Sequence, residues 1–263
     1  MIRPRSGVAS PARPGVTAAG PFVRRAGTMA AAAAAILLAL LALFLVIRSD
    51  LDPTWTFLSE YARGDAGWLM AVGFLCAAAA AAGAAVIGWS AGRVVGRIGA
   101  VLAGLSALGF VIAAAFPADP AEVPLEDGTA TGTLHAVGAT LNLTPYALVL
   151  ITIGLRRAAG WRTRRLALGL LAGLALAAEL AFIASAASAG GEFGPGTFAG
   201  LAGRVSVAAF AAWVVVAGLP SRRARTGATA EGSETVERGA LGTADVSDVD
   251  DVDRTRRSAT RPG

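Results

Sequence analysis

One histidine, a few carboxylates and one arginine stand where an apolar chain has little reason to keep them. His135 follows Gly132-Thr133-Leu134 at the start of a long apolar run. Glu179 interrupts a second run and Arg204 a third. Glu60, in Leu58-Ser59-Glu60-Tyr61-Ala62, and Asp119, in Phe116-Pro117-Ala118-Asp119-Pro120, flank such runs. An ionisable group in an apolar span is costly, so each should face a bundle interior or a cavity and find a partner there. Imidazole titrates near neutrality, so His135 suits acid–base work or pH sensing, with Asp119 or Glu60 as an orienting carboxylate. Arg204 suits an anionic or polar headgroup, and Glu179 is its expected ion-pair partner. The candidate catalytic residues are therefore His135, Asp119 and Glu60. The candidate binding residues are Arg204, Glu179, His135 and Tyr61. One histidine cannot supply a His-rich zinc site, and Asp119 and Glu60 make a carboxylate site only if they converge, so no metal is expected.

Each of these residues also has a structural reading. Glu179 and Arg204 would then be a buried pair that fixes helix register. His135 would be a satisfied hydrogen-bonding residue beneath the loop before it. Glu60 would be solvated among Trp55, Tyr61 and Trp68, aromatic anchors at the headgroup level.

The elements that must position these groups are six apolar runs. Of the 263 residues, 55% are hydrophobic, and the mean hydropathy is +0.60. The runs cover about residues 29–47, 67–89, 98–116, 132–155, 166–187 and 200–219. Each is near the roughly 20 residues that cross a bilayer as a helix, and in lipid the backbone must satisfy its own hydrogen bonds. The expected fold is an all-α polytopic membrane protein: a six-helix domain over 29–219 between disordered tails at 1–28 and 220–263. The first run competes with a signal peptide, but it is long, and Arg48, Asp50 and Asp52 follow it rather than a cleavage site. Asn142 and Pro145 interrupt the fourth run and predict a kink, or the broken helix of a transporter.

Charge fixes an orientation. The chain has no lysine. Arginines fill alternate connections: Arg93 and Arg97, then Arg156, Arg157, Arg162, Arg164 and Arg165, with further arginines in the N-terminal tail and after the last run. The other connections hold Asp50, Asp52, Glu60, Asp65, Asp119 and Glu192. Basic residues mark the cytoplasmic side, so both termini are expected there, in the plasma membrane. The lone Cys76 excludes an internal disulfide and a CxxC metal site. Gly169 and Gly173 form a GxxxG pattern that fits either a tight monomeric bundle or a homodimer seam.

Leu58-Ser59-Glu60-Tyr61-Ala62 with Gly67-Trp68-Leu69-Met70 and Gly73-Phe74 resembles the DUF998 family of bacterial and archaeal multi-span membrane proteins. Phe116-Pro117-Ala118-Asp119-Pro120 with Gly132-Thr133-Leu134-His135 is similar to its second signature, and Gly203-Arg204 with Trp213 to its third. The resemblance covers roughly Asp50 to Leu219. It implies a fold and a location, and no reaction.

No nucleophile motif, phosphate loop, haem or flavin signature is present, so no cofactor is expected, and no nucleic-acid partner. The partners expected are the bilayer itself and a lipid or small-molecule ligand. The leading expectation is a membrane protein that binds a small molecule or lipid headgroup in an outward-facing polar pocket. The alternatives are a membrane-embedded hydrolase or transferase at the outer leaflet, or a small transporter.

Overall fold

A computed structural model describes residues 20–219, apart from 121–122, 124–126 and 191–193 and the side chains of 159 and 160. The tail expectations for 1–19 and 220–263 lie outside the described residues, as does Glu192. Seven α-helices are described: α1 Pro21–Ile47, α2 Gly67–Ser90, α3 Val94–Ala115, α4 Ala130–Thr140, α5 Thr144–Leu155, α6 Arg165–Ser188 and α7 Ala199–Gly218. Short 3-10 turns at Leu58–Ala62 and Ala159–Arg164 complete the order. Six spans among the described residues are long and apolar enough to cross a membrane, with α4 and α5 sharing one. The chain is an all-α, multi-pass membrane protein, and a lipid bilayer is its environment.

α1 begins at Pro21 rather than Met29. Proline is favoured at the first helical position, where its missing N–H costs nothing, and nothing breaks the helix across Arg24 and Arg25. The basic segment just before the apolar run is therefore helical. The fourth span divides where the sequence places Asn142 and Pro145. α4 ends at Thr140 and α5 starts at Thr144 with proline in its first turn. Ser106 on α3 repairs the gap: its Oγ accepts from Leu143 N–H at 2.8 Å and donates to Leu102 O at 2.9 Å. The Thr144 hydroxyl donates to Asn142 Oδ1 at 2.7 Å.

Each span packs on the next, and α7 returns to α1, so the helices form a closed up-and-down ring. α2, α5 and α7 also meet one another across the middle. Its core holds Trp213, Phe210, Leu148, Ile151, Ile87 and Leu37 among many alanines. Small residues let backbones approach in lipid, where no hydrophobic drive exists between helices. A Cβ on Gly109 would stand 2.5 Å from Gly138 O, so α3 and α4 touch there through their backbones. The glycines at 169 and 173 are different: both are exposed, and nothing lies within 4 Å of a Cβ built on either. The GxxxG pair on α6 makes no packing contact within the bundle.

Candidate functional site

The chain between α1 and α2 folds as a cap. Asp52 Oδ1 accepts from the Thr54 amide at 2.8 Å and hydroxyl at 2.6 Å, an Asx turn that starts the reversal. These bonds hold the Asp52 carboxyl below the usual carboxylate range. Asp50 is likewise lowered, by its hydrogen bond to the Arg48 guanidinium, with which it forms an ion pair at 2.9 Å. Arg48 Nη1 also donates to Arg63 O at 2.7 Å, tying the two ends of the cap together. The 3-10 turn Leu58–Ala62 turns Glu60 and Tyr61 inward, and both are buried. Glu60 pairs with Arg63 at 2.7 Å. Tyr61 lies edge-on to Phe44 with Met70 beside it, in a small apolar cluster of its own. Trp68 is exposed, whereas Tyr61, expected beside it as an aromatic anchor, is rolled beneath the cap by the tight turn.

The cap closes onto the head of α7. Leu201 N–H donates to Thr54 O at 2.8 Å, satisfying one free amide of the helix start. Arg204, one turn further, reaches back along the helix as side chains on helices do. Its Nη1 donates to Pro53 O at 2.9 Å, Thr56 O at 2.6 Å and Gly200 O at 3.0 Å. Its guanidinium carbon stands 4.9 Å from the centroid of the Tyr61 ring, a cation–π arrangement. The second nitrogen, Nη2, is buried without a hydrogen-bond partner. So are the Tyr61 hydroxyl and the Thr56 hydroxyl. The Tyr61 hydroxyl lies beside the guanidinium, near enough for a weak hydrogen-bonding and electrostatic interaction, but falls short of full hydrogen-bond geometry with it. Three unpartnered polar atoms thus belong to Arg204 and to two residues it touches, Tyr61 through its ring and Thr56 through its backbone carbonyl.

The expected ion pair between Arg204 and Glu179 does not form. Arg204 lies near the acidic end and its long side chain extends outward to backbone carbonyls. Glu179 lies nine residues before the last residue of α6, roughly 14 Å at the rise of an α-helix, and its carboxylate has no comparable reach. Glu179 Oε2 instead accepts from the buried Ser206 hydroxyl at 3.2 Å.

His135 and Asp119 form a second cluster, which joins α3 to α4. The Asp119 carboxylate accepts from the Thr129 amide and hydroxyl, both at 2.7 Å. Thr129 in turn caps α4 by accepting from Gly132 N–H at 3.0 Å. A Cβ at Gly132 would collide with the Asp119 carboxylate, so a larger residue there has to displace Asp119 from Thr129. His135 is buried, and its Nδ1 bonds Phe116 O at 2.8 Å, tying α4 to the end of α3. Its ring stands edge-on to Phe74 at 5.7 Å. Asp119 therefore engages Thr129, not the imidazole.

The candidates thus divide three ways. Glu60, Tyr61 and Arg204 gather under the cap. Asp119 and His135 gather at the α3–α4 junction, and Glu179 stands apart on Ser206. Phe74 touches both clusters, packing on the Tyr61 group and on His135. Sequence reasoning passed over Thr56, a buried hydroxyl in a loop whose only signal was its place between two aromatics, Trp55 and Phe57. It also passed over Ser106, a lone hydroxyl in an apolar helix. No group of three or more His, Cys, Asp or Glu side chains able to hold a metal occurs among the described residues.

The family model described as "Protein of unknown function (DUF998)" matches residues 29–220, and the chain belongs to that family. No curated protein and no solved structure matches it.

Proposed function

We propose that this DUF998 protein binds the anionic group of a small molecule or lipid headgroup at the acidic end of its bundle, the end facing outward. Arg204, Tyr61 and Thr56 are the contacting side chains. The observation that supports this is the presence of three buried polar atoms without partners on Arg204 and two residues that touch it: Arg204 Nη2, Tyr61 Oη and Thr56 Oγ1. Leaving a buried polar group unpaired costs about 1–3 kcal/mol, so three on contacting residues make an expensive arrangement in a protein that only needs to fold. All three can donate, and an oxyanion beside the guanidinium would accept with charge assistance from it. The nearest carboxylates are engaged: Asp52 by Thr54, and Glu60 by Arg63. The three atoms are shielded by the cap, so entry requires residues 48–66 to shift. The contacts that hold them are hydrogen bonds and short ion pairs rather than a large apolar core. The arginines at the opposite end support an outward-facing cap, since basic residues favour the cytoplasmic side.

The two other readings have less support. A His–carboxylate pair for hydrolysis or transfer needs His135 beside Asp119, and these side chains have other partners. A transport path through the break in the fourth span needs free polar groups there, and Ser106, Asn142 and Thr144 bond locally.

The test uses purified protein and two probes, inorganic phosphate and a short-chain phosphatidic acid. Both carry the phosphate, and only the second carries the lipid. Thermal unfolding is followed for the wild type and for Tyr61→Phe/Thr56→Val. The expected result is an upward shift of the wild-type midpoint with at least one probe and none for the double variant. A shift with both probes identifies a free anion site, and a shift with the lipid alone identifies a headgroup site. Equal shifts in wild type and variant, or no shift in the wild type with a more stable variant, overturn the reading.

A further inference from the structure

At the opposite end of the bundle, α3 and α5 meet backbone to backbone. A Cβ on Gly154 would stand 2.8 Å from Gly96 Cα, and one on Gly96 would stand 3.2 Å from Ala91 Cβ. The turn after α2, the first turn of α3 and the last turn of α5 therefore converge on one point. Four arginines leave the chain within three residues of it: Arg93 and Arg97 on one side, Arg156 and Arg157 on the other. All four are exposed. None has a carboxylate partner, since both ion pairs among the described residues lie at the acidic end. Four guanidiniums so placed repel one another and create a local positive potential.

What surrounds them identifies the class of anion. Trp89, at the end of α2, is largely exposed, and the Arg97 guanidinium stacks on its ring at 5.5 Å. Indole rings favour the boundary between headgroups and hydrocarbon. Along α3 and α5, further into the span than the arginines, Ile98 and Ile153 are exposed. Cations above, an aromatic ring at the boundary and an apolar wall below suit a molecule with a phosphate head and acyl chains. A soluble anion has no use for the wall. We infer that Arg93, Arg97, Arg156 and Arg157 form a binding site for an anionic phospholipid, its phosphate among the guanidiniums and its chains along Ile98 and Ile153. Clusters of basic residues between spans at the membrane surface recognise such headgroups, each arginine raising affinity about fivefold. This site is separate from the one under the cap and does not depend on it.

The experiment measures lipid retained by full-length protein after purification from micelles doped with phosphatidylglycerol or phosphatidylcholine, using native mass spectrometry. The wild type should retain phosphatidylglycerol and lose phosphatidylcholine. Arg97→Gln/Arg157→Gln keeps two of the four charges for membrane insertion and should retain phosphatidylglycerol at least about tenfold less, given the contribution of each arginine. Arg162→Gln/Arg165→Gln neutralises exposed arginines at the start of α6 and should retain it as the wild type does. If Arg97→Gln/Arg157→Gln does not fold, Trp89→Ala, which leaves every charge, should still lower retention. The inference is overturned by equal retention of both lipids in the wild type. It is also overturned if the Arg97/Arg157 variant retains as much as the wild type, if the Arg162/Arg165 control loses as much as that variant, or if retention is undiminished in Trp89→Ala.

Discussion

Arg204→Ala tests whether one side chain holds the cap on the head of α7. Nη1 has two hydrogens and three carbonyl neighbours, so it is worth two hydrogen bonds, two of the carbonyls belonging to the cap. Hydrogen bonds from a charged group contribute about 1.5–3 kcal/mol each. The Tyr61 ring at 4.9 Å adds about 0.5–2 kcal/mol. Against this, removing an arginine from a span relieves a cost of about 2.5–3.5 kcal/mol at the bilayer centre and less near the surface. The balance is a loss of about 2–3 kcal/mol, or roughly 5–10 °C in midpoint for a domain of this size. Cys76 supplies the assay. It is the only cysteine in the chain, partly buried in α2, so a thiol-reactive fluorophore lights up as the bundle opens. Arg204→Lys separates the two roles of the residue. An ammonium has three donors and can serve the carbonyls that Nη1 serves, so most of the stability should return. It has no second nitrogen to stand where Nη2 stands, so the response to phosphate or phosphatidic acid should not return. A midpoint for Arg204→Ala within about 2 °C of wild type would refute the stability argument, being less than the shift expected of 1 kcal/mol. A normal anion response in Arg204→Lys would refute the role given to Nη2.

Further outcomes follow from the other contacts. His135→Ala leaves Phe116 O unbonded and empties space beside Phe74, and should cost about 2–3 kcal/mol in the same assay. Gly132→Ala drives a methyl into the Asp119 carboxylate and should cost about 1–3 kcal/mol. Combined with Asp119→Ala it should cost less than the sum of the single changes, a coupling that a double-mutant cycle measures. Ser106→Ala strands the Leu143 amide inside the bundle, at about 1–3 kcal/mol. Asp50 and Asp52 have lowered folded pKa values, so the stability they contribute is present above the unfolded carboxylate value. It is lost as pH falls below about 4 through the folded values. Midpoints measured across that window should fall less steeply for Asp52→Asn than for the wild type.

The spans were legible because lipid makes simple demands. A helix must be apolar for about 20 residues, and basic residues must stay on one side. Those demands leave a mark on every residue of a run, so their number and alternation survive any local error. The start of α1 was not legible for the same reason. Arg24 and Arg25 carry no apolar signal, yet nothing in Pro21–Thr28 stops a helix that the apolar run has already begun. The break at residues 141–143 was visible in Asn142 and Pro145. Its repair by Ser106 was not, because a hydroxyl in an apolar helix most often bonds its own preceding turn. Ser106 does so, at Leu102 O, while also accepting from a neighbouring helix.

The partner of Arg204 shows where reading by residue type stops. An arginine suggests a carboxylate, and Glu179 was the carboxylate at hand. The acceptors used are backbone carbonyls at Pro53 and Thr56, 151 and 148 positions away, and every residue carries a carbonyl, so nothing in the sequence marks those two. What the sequence did carry was the set of three motifs, Leu58–Ala62, Phe116–Pro120 with Gly132–His135, and Gly203-Arg204. The second proves self-contained: Asp119 caps through Thr129, Gly132 makes room for Asp119, and His135 bonds Phe116. Each of its distinctive residues has a packing role. The first and third are different, because neither is complete alone. Tyr61 from the first lies under the guanidinium of Arg204 from the third, and both keep a polar atom without a partner. A motif whose residues satisfy one another accounts for itself as structure. Two motifs from opposite ends of the bundle's sequence that meet and leave donors unsatisfied do not account for themselves in that way, and this is the difference on which the proposed anion site rests.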